Sequence, residues 1–451
     1  MALPLHDLDP AAAARDAFEL MHALLPLPRS LTGDGVRRSL DLIHALAPLE
    51  RSEVPSGTPI YDWEVPDEWN IREAFIADAQ GRRLVDLRDN TLHVVACSTP
   101  VHARMTRAEL EPHLHSLSEH PDWIPQRGSC WRRDWGFCLA HGVREQLGEG
   151  PFDVVIDSTL APGHLSYGEC VVPGSGAIDD AGEALIYTHT CHAALANDNL
   201  TGMAVAAVLA RALRSGSVKP RMTWRFVFAP ATIGSLVWLS RNEHRLPGLR
   251  AGLVIGLLGD RAPLTYKRSR RGSTIVDRAA ALVLAPQGGR FLDFEPFGYD
   301  ERQFGSPGFD LPVGRLTRSQ HGEYPEYHTS ADNLAFIDEA CLARSIAALA
   351  RIIATVDANR RWRNTSPKGE PRLGKRGLYA PSGPHGPGER EKALLWLLNL
   401  CDGTRDLIDV ARTSGMPFEA LHNGAVALEH AGLLEPIREA IPHPPATASS
   451  S

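Results

Sequence analysis

The chain has 451 residues, of which 43% are hydrophobic and 22% charged, and a net charge of −7. That length exceeds a single hydrophobic core and predicts two or three domains. The negative charge excludes a chain built as a whole to attract nucleic acid, and no stretch reaches the roughly 18–20 apolar residues of a membrane span. Seven scattered cysteines without a CxxC pair predict reduced thiols and a cytoplasmic setting. The N-terminus carries acids early and has no long apolar core, so it does not read as a signal peptide.

In chain order, "DPAAAARDAFELMHALL" and "TGDGVRRSLDLIHALAPL" predict two helices over residues 8–48, the first behind an Asp–Pro start. From 54 to 125, short β-like runs broken by Pro, Asp–Asn and Gly predict a small β-rich module inserted into a larger domain. "VVIDSTL" then reads as a strand. Residues 150–355 alternate between buried strands ("EALIYTH", "RMTWRFVFAP", "RAGLVIGLLGD") and helices ("TGMAVAAVLARALRSG", "GSLVWLSRNEH", "TIVDRAAALVLAP", "AFIDEACLARSIAALARIIATVDA"). Continuous apolar strands predict an α/β fold with a mixed, mostly parallel sheet sandwiched by helices.

The resulting domain map is an α/β domain at 1–53 and 126–360, the inserted module at 54–125, a Pro-, Gly- and Arg-rich linker at 361–388, a three-helix, winged-helix-like module at 389–441 and a disordered tail at 442–451. Between 389 and 439 there are nine acids against five basic side chains, the wrong balance for neutralising phosphates. Nucleic acid is therefore not the expected partner, and packing or homodimerisation is the expected role of this module.

Chemistry concentrates at the carboxyl ends of the strands, where open α/β sheets carry their ligand sites. "YTHTCHAALANDNL" places His189, Cys191, His192 and Asp198 between a buried strand and a buried helix. An HxxH alone is also satisfied by two hydrogen-bonded histidines at a sheet edge. Here further polar clusters follow: Asp260 after "LVIGLLG", Asp300 in "GYDERQF", and Glu323, Glu326, His328 and Asp332 in "EYPEYHTSADNL". Imidazole and carboxylate are the donors that borderline-soft zinc prefers. Cys191 reads as a small buried thiol, with a nucleophile or a metal ligand as the alternatives. No GxSxG and no Walker-type loop is present.

This order of residues resembles the zinc aminopeptidase clan, whose relatives include glutamate carboxypeptidases and glutaminyl cyclases: a His after a strand, Asp-x-x-Ser/Thr-Gly, a Glu pair, a strand-end Asp and a final His-Thr-x-x-Asp. The phrases "DWEVPDEWNIREAFI", "LHVVACSTPVH", "WGFCLAH", "GHLSYGE", "YKRSRRG" and "EYHTSADNL" more closely resemble bacterial aminopeptidase-like proteins with an inserted β module and a C-terminal winged helix. The resemblance implies a zinc aminopeptidase-like fold with one or two zinc ions. One metal would take His189, Asp198 and Asp260. The other would take Asp198 and His328, with His192 in place of a glutamate, because the clan's Glu pair is replaced here by Ala231 and Thr232. The general base is then open between Glu326 and Glu169. Arg268, Arg270 and Arg271 of "YKRSRRG", and Arg318, are candidates for holding a substrate carboxylate, or else a solvated charged turn. The implied activity is zinc-dependent hydrolysis of a short peptide or small amide by metal-activated water, in a cleft roofed by the inserted module, with a specialised biosynthetic pathway as one setting. A non-catalytic scaffold is the alternative reading, and a DNA-binding regulator the third.

Overall fold

The computed structural model describes residues 2–176, 181–378 and 388–437. The expected tail at 442–451 lies outside them. The organising element is an eight-stranded mixed sheet. Its centre is a parallel set in the order Thr223–Ala229, Glu183–His189, Leu249–Ile255, Val313–Thr317. These strands are buried along nearly their whole length because helices cover both faces. Along Glu183–His189, Ala184 and Ile186 enter one core while Leu185 and Tyr187 enter the other, as the alternation of a strand requires. Helices Pro10–Leu24, Asp34–Leu46, Thr201–Ser215, Ile275–Leu284 and Glu339–Ala358 pack on the first face, and Ile233–Asn242 on the second.

Antiparallel strands close one side of the sheet. Glu50–Pro55 pairs with His164–Val172, which pairs with Thr223–Ala229. Pro55 stands directly opposite His164 in that ladder. The chain thus leaves the main sheet and rejoins it at one point, and the inserted module lies between those residues. It has its own core and a four-stranded sheet of Arg83–Asp86, Glu68–Ala77, Phe152–Ala161 and Val101–Met105. The expected boundary at 125 is therefore too early. "VVIDSTL" belongs to the module, because Phe152–Ala161 pairs with Glu68–Ala77 rather than with the main sheet.

The C-terminal module also begins earlier than the sequence suggests. Arg361–Asn364, the start of the expected linker, is the central strand of a three-stranded sheet with Asp402–Asp406 and Leu434–Pro436. Helices Glu389–Leu400, Leu407–Ser414 and Phe418–His430 complete it. It is docked rather than tethered: Leu394, Leu407 and Leu421 join the core of the α/β domain, and the Arg278 guanidinium donates to Asp406 at 2.6 Å and to Asp409 at 2.8 Å. Among the described residues, no helix is long and apolar enough to cross a membrane.

The expectation of seven reduced thiols needs correction. Cys97 and Cys130 form a disulfide, their Cα atoms 4.9 Å apart, because the module's fold brings two distant loops together, which spacing alone does not show. Cys138, Cys170, Cys191, Cys341 and Cys401 are free and buried. Thiol titration of the protein unfolded without reductant is expected to give five thiols per chain, rising to seven after reduction. Seven without reductant would contradict the pairing.

Candidate metal centre

The central strand ends on His189, which is fully buried. The next helix, Thr201–Ser215, runs back along the sheet, and the turn between them is held in place by its own polar residues. Asn197 donates to the Asp260 carboxylate at 2.9 Å and accepts from the Gly259 amide at 2.9 Å. Asn199 donates to the Thr188 hydroxyl at 2.8 Å and to the His189 carbonyl at 3.1 Å. The asparagines flanking Asp198 thus anchor the turn to the end of the central strand and to the loop that follows Leu249–Ile255. Gly202 permits the close approach, since a Cβ there would sit 2.4 Å from Asn199 Oδ1 and 2.5 Å from Thr188 Oγ1.

A third clamp comes from the far end of the domain. The Asp332 carboxylate accepts from the Asn197 amide at 2.6 Å and the Asp198 amide at 3.0 Å. The final His-Thr-x-x-Asp segment therefore supplies His328 and also fixes the backbone of Asp198. Burial pushes the Asp332 carboxyl up to about 8.

Asp198 is the hub. Its Oδ1 lies 2.9 Å from His189 Nε2 and 3.2 Å from the Tyr299 hydroxyl, and its Oδ2 lies 3.0 Å from His328 Nε2. His192 completes the group: its ring centroid is 5.5 Å from that of His189 and 4.9 Å from that of His328. One donor atom each from His189, His192 and Asp198 lie within 4.8 Å of one another. Burial holds His192 down at about 3, so its imidazole is neutral, and its Nδ1 has no hydrogen-bond partner among the described residues. Burial opposes ionisation of Asp198, yet the facing His192 and the contacts from His189 and His328 hold it well below the usual carboxylate range. The neutral His192 imidazole with one ring nitrogen unclaimed, the His189 ring and an ionised carboxylate make a donor set that a zinc ion fits.

His192 and His328 are held in left-handed backbone conformations, φ 86° and 56°. Such non-glycine residues cost roughly 1–3 kcal/mol each and persist where their surroundings fix them. Here Arg29 donates from Nε to the His192 carbonyl at 3.0 Å, and the Gln126 amide to the His328 carbonyl at 2.7 Å.

The cluster opens into a cavity of about 390 Å³, the size of a small-ligand pocket. His192, His328, Tyr299 and Tyr327 line it from the α/β domain, together with Ala231, Thr232 and Arg29. Trp63, Ala96, Gln126, Cys130 and Trp131 line it from the inserted module. Trp63 and Trp131 meet edge to face at 5.0 Å and are each about half exposed, 50% and 54%. None of the lining side chains is an acid.

The other sequence candidates lie elsewhere. Asp260 is not at a strand end: Leu249–Ile255 stops at Ile255, followed by a glycine and by Leu257 at φ 51°. Its carboxylate accepts from Asn197, Ala262 and Ser319 and stays outside the metal-capable group. Glu169 sits within a strand of the main sheet, accepting from Arg225 at 3.1 Å and the Trp238 indole at 2.7 Å. Glu326 lies in a turn and does not line the cavity. Arg268 pairs with Asp293, and Arg270 and Arg271 with Asp310. Arg318 is buried on Ser345 and on the carbonyls of Ala262 and Cys341. Cys191 accepts from the Ala231 amide, and burial pushes its thiol up to about 12, which fits a structural thiol. Arg29, Tyr299 and the tryptophan pair were not singled out from the sequence. Their only signal is an arginine or aromatic in a Pro- or Gly-rich loop.

The sheet, its covering helices and the histidine–aspartate cluster at its carboxyl edge define an aminopeptidase-like fold. A zinc aminopeptidase of Bacillus subtilis superposes with a TM-score of 0.53 at 14% identity, over 75% of this chain and 94% of that one, a likeness of fold alone. A crystal structure from Clostridium acetobutylicum, named as a peptidase, superposes with a TM-score of 0.88 at 41% identity, covering 95% of this chain and 98% of that one. A Clostridium acetobutylicum protein named as a polysaccharide biosynthesis protein with an aminopeptidase-like domain is 42% identical over 424 residues, 93% of this chain and 96% of that one. Residues 18–359 match the model of a domain of unknown function, DUF4910, and residues 360–436 that of a winged helix-turn-helix. The chain belongs to the DUF4910 family and carries a winged-helix domain at its C-terminus.

Proposed function

We propose that the chain is a zinc-dependent hydrolase acting on a short peptide or small amide. The observation that carries this reading is the His189–His192–Asp198 group placed at a roofed cavity. His189, His192 and Asp198 would hold the metal, with His328 against the second oxygen of Asp198. A zinc ion there would polarise an amide carbonyl and lower the pKa of a bound water.

The chain's own residues supply orientation. Asp332 and the two asparagines fix the Asp198 backbone, and the inserted module lines part of the cavity. Tyr299 lines the cavity with its hydroxyl on Asp198. Burial raises its phenol well above the ordinary value, so it stays protonated, and its single O–H, turned from Asp198 to a bound substrate, would donate to an oxygen that gains charge. The positions of the clan's Glu pair are Ala231 and Thr232, and both line the cavity. Neither Glu169 nor Glu326 replaces that pair. This observation favours a second reading, in which the chain binds a small ligand without hydrolysing it.

The named relative's link to polysaccharide biosynthesis fits a small N-acyl substrate better than a long peptide, as does the cavity volume. The C-terminal module fits a packing role: helix Phe418–His430 carries Glu419 and Glu429 and no lysine or arginine.

Zinc-loaded protein screened against peptides, aminoacyl amides and N-acyl compounds tests the proposal. Release of amine is expected, abolished by chelator and restored by zinc. Tyr299→Phe is expected to reduce kcat by roughly 10²-fold, the cost of losing one transition-state donor. Full zinc occupancy without turnover across the screen would favour the binding reading.

A further inference from the structure

Arg29 follows the helix Pro10–Leu24 and borders the cavity. It is 1% exposed. Its Nε donates to the His192 carbonyl at 3.0 Å and its Nη1 to the Leu24 carbonyl. Both are neutral acceptors. Nη2 has no hydrogen-bond partner among the described residues, and no ion pair to Arg29 occurs among them. A buried guanidinium with no counter-charge is costly: Arg225 sits between Glu169 and Glu183, and Arg315 faces Glu301, while Arg318, held like Arg29 by neutral acceptors, has Nε and both Nη atoms hydrogen-bonded and does not line the cavity. Among these four arginines, Arg29 alone borders the cavity, which no acid lines, and it keeps one nitrogen without a partner among the described residues.

These observations share one explanation. We propose that Arg29 is a specificity-determining residue that supplies the cavity's anion anchor, so that the ligand carries a carboxylate. Nη2, the one guanidinium nitrogen left without a partner, can donate charge-assisted hydrogen bonds to a carboxylate that the cavity wall admits to it. The same charge disfavours a free ammonium group, which an acid-free cavity also has no means to hold. The ligand class is therefore an N-acylated, carboxylate-bearing small molecule, such as an N-acyl amino acid, rather than a peptide recognised by its free N-terminus. Because Arg29 also holds the His192 carbonyl, an occupied anchor would sit one residue contact from the metal-capable group. The inference deepens the hydrolase proposal by naming its substrate class, yet its binding test needs no turnover.

The test uses the full chain, both as purified and after dialysis against chelator, and reads the change in tryptophan fluorescence, to which Trp63 and Trp131 in the cavity wall contribute. The probes are N-benzoyl derivatives of glycine, leucine and glutamate, each against its neutral amide, with glycinamide as the amine control. The carboxylates are expected to bind roughly 10–100-fold more tightly than the amides, the worth of one charge-assisted contact, with or without zinc. Arg29→Met is expected to abolish that preference and Arg29→Lys to keep part of it. If Arg29→Met does not fold, as judged by circular dichroism, the Arg29→Lys titration carries the test, with a weakened preference expected. An unchanged preference in the folded variants, equal binding of acid and amide, or binding of glycinamide alone would overturn the proposal. So would the absence of binding by every carboxylate. A carboxylate preference seen only with zinc bound would assign the anion to the metal and likewise overturn it. If the carboxylates bind but are never hydrolysed, the anchor stands and the hydrolase reading falls.

Discussion

Substituting Asp198 with alanine is expected to weaken zinc binding by on the order of 100-fold or more, since loss even of an outer partner costs 10–100-fold. Asp198 offers one oxygen to His189 and Tyr299 and the other to His328, so no single neighbour can take over its place. Competition with a chelator of known affinity measures the effect, and circular dichroism checks that the sheet survives. Asp332→Asn is expected to lie between wild type and Asp198→Ala. An amide can still accept with one oxygen, but it cannot receive both the Asn197 and Asp198 amides. Zinc affinity unchanged in Asp198→Ala would remove the metal centre from this account.

The second large effect concerns stability. Arg225 lies within the main sheet, its side chain 6% exposed, between Glu169 on one neighbouring strand and Glu183 on the other. Arg225→Met would leave two poorly solvated carboxylates facing each other. Breaking such a buried network costs about 3–5 kcal/mol, which corresponds to a fall in melting temperature of roughly 3–7 °C for a chain of this size. The triple variant Glu169→Gln, Glu183→Gln, Arg225→Met is expected to recover most of that loss, because no charge is then stranded. Glu169→Gln alone is expected to leave zinc affinity and any turnover unchanged. A large loss of turnover with intact folding would return Glu169 to the chemistry.

Helices and strands with clean periodicity were legible in the sequence, and so was the clustering of His189, His192, Asp198 and His328. Local patterns encode those features. What escaped depends on contacts between distant segments. "LVIGLLGD" reads as one apolar strand up to an acid, but the backbone leaves the sheet at Ile255, and Asp260 turns to hydrogen-bond the site's scaffold. Glu169, after "GHLSY", reads as a candidate general base only while Arg225, on a strand far away in sequence, is unseen. "RWRN" looks like a basic linker, yet Trp362 is 2% exposed in the centre of a small sheet. Arg29, in "LPLPRSLTG", carries no sequence signal of its own and is buried beside the cavity. In each case the sequence shows the charge, and only the fold shows whether a partner neutralises it.

The central claim is that His189, His192 and Asp198 form a metal centre at the cavity. Crystals of zinc-supplemented protein, with diffraction recorded on both sides of the zinc absorption edge, test it most directly. The account predicts an anomalous peak within bonding distance of all three side chains, absent from Asp198→Ala crystals. A peak confined to surface histidines, or none at this cluster despite excess zinc, would contradict it.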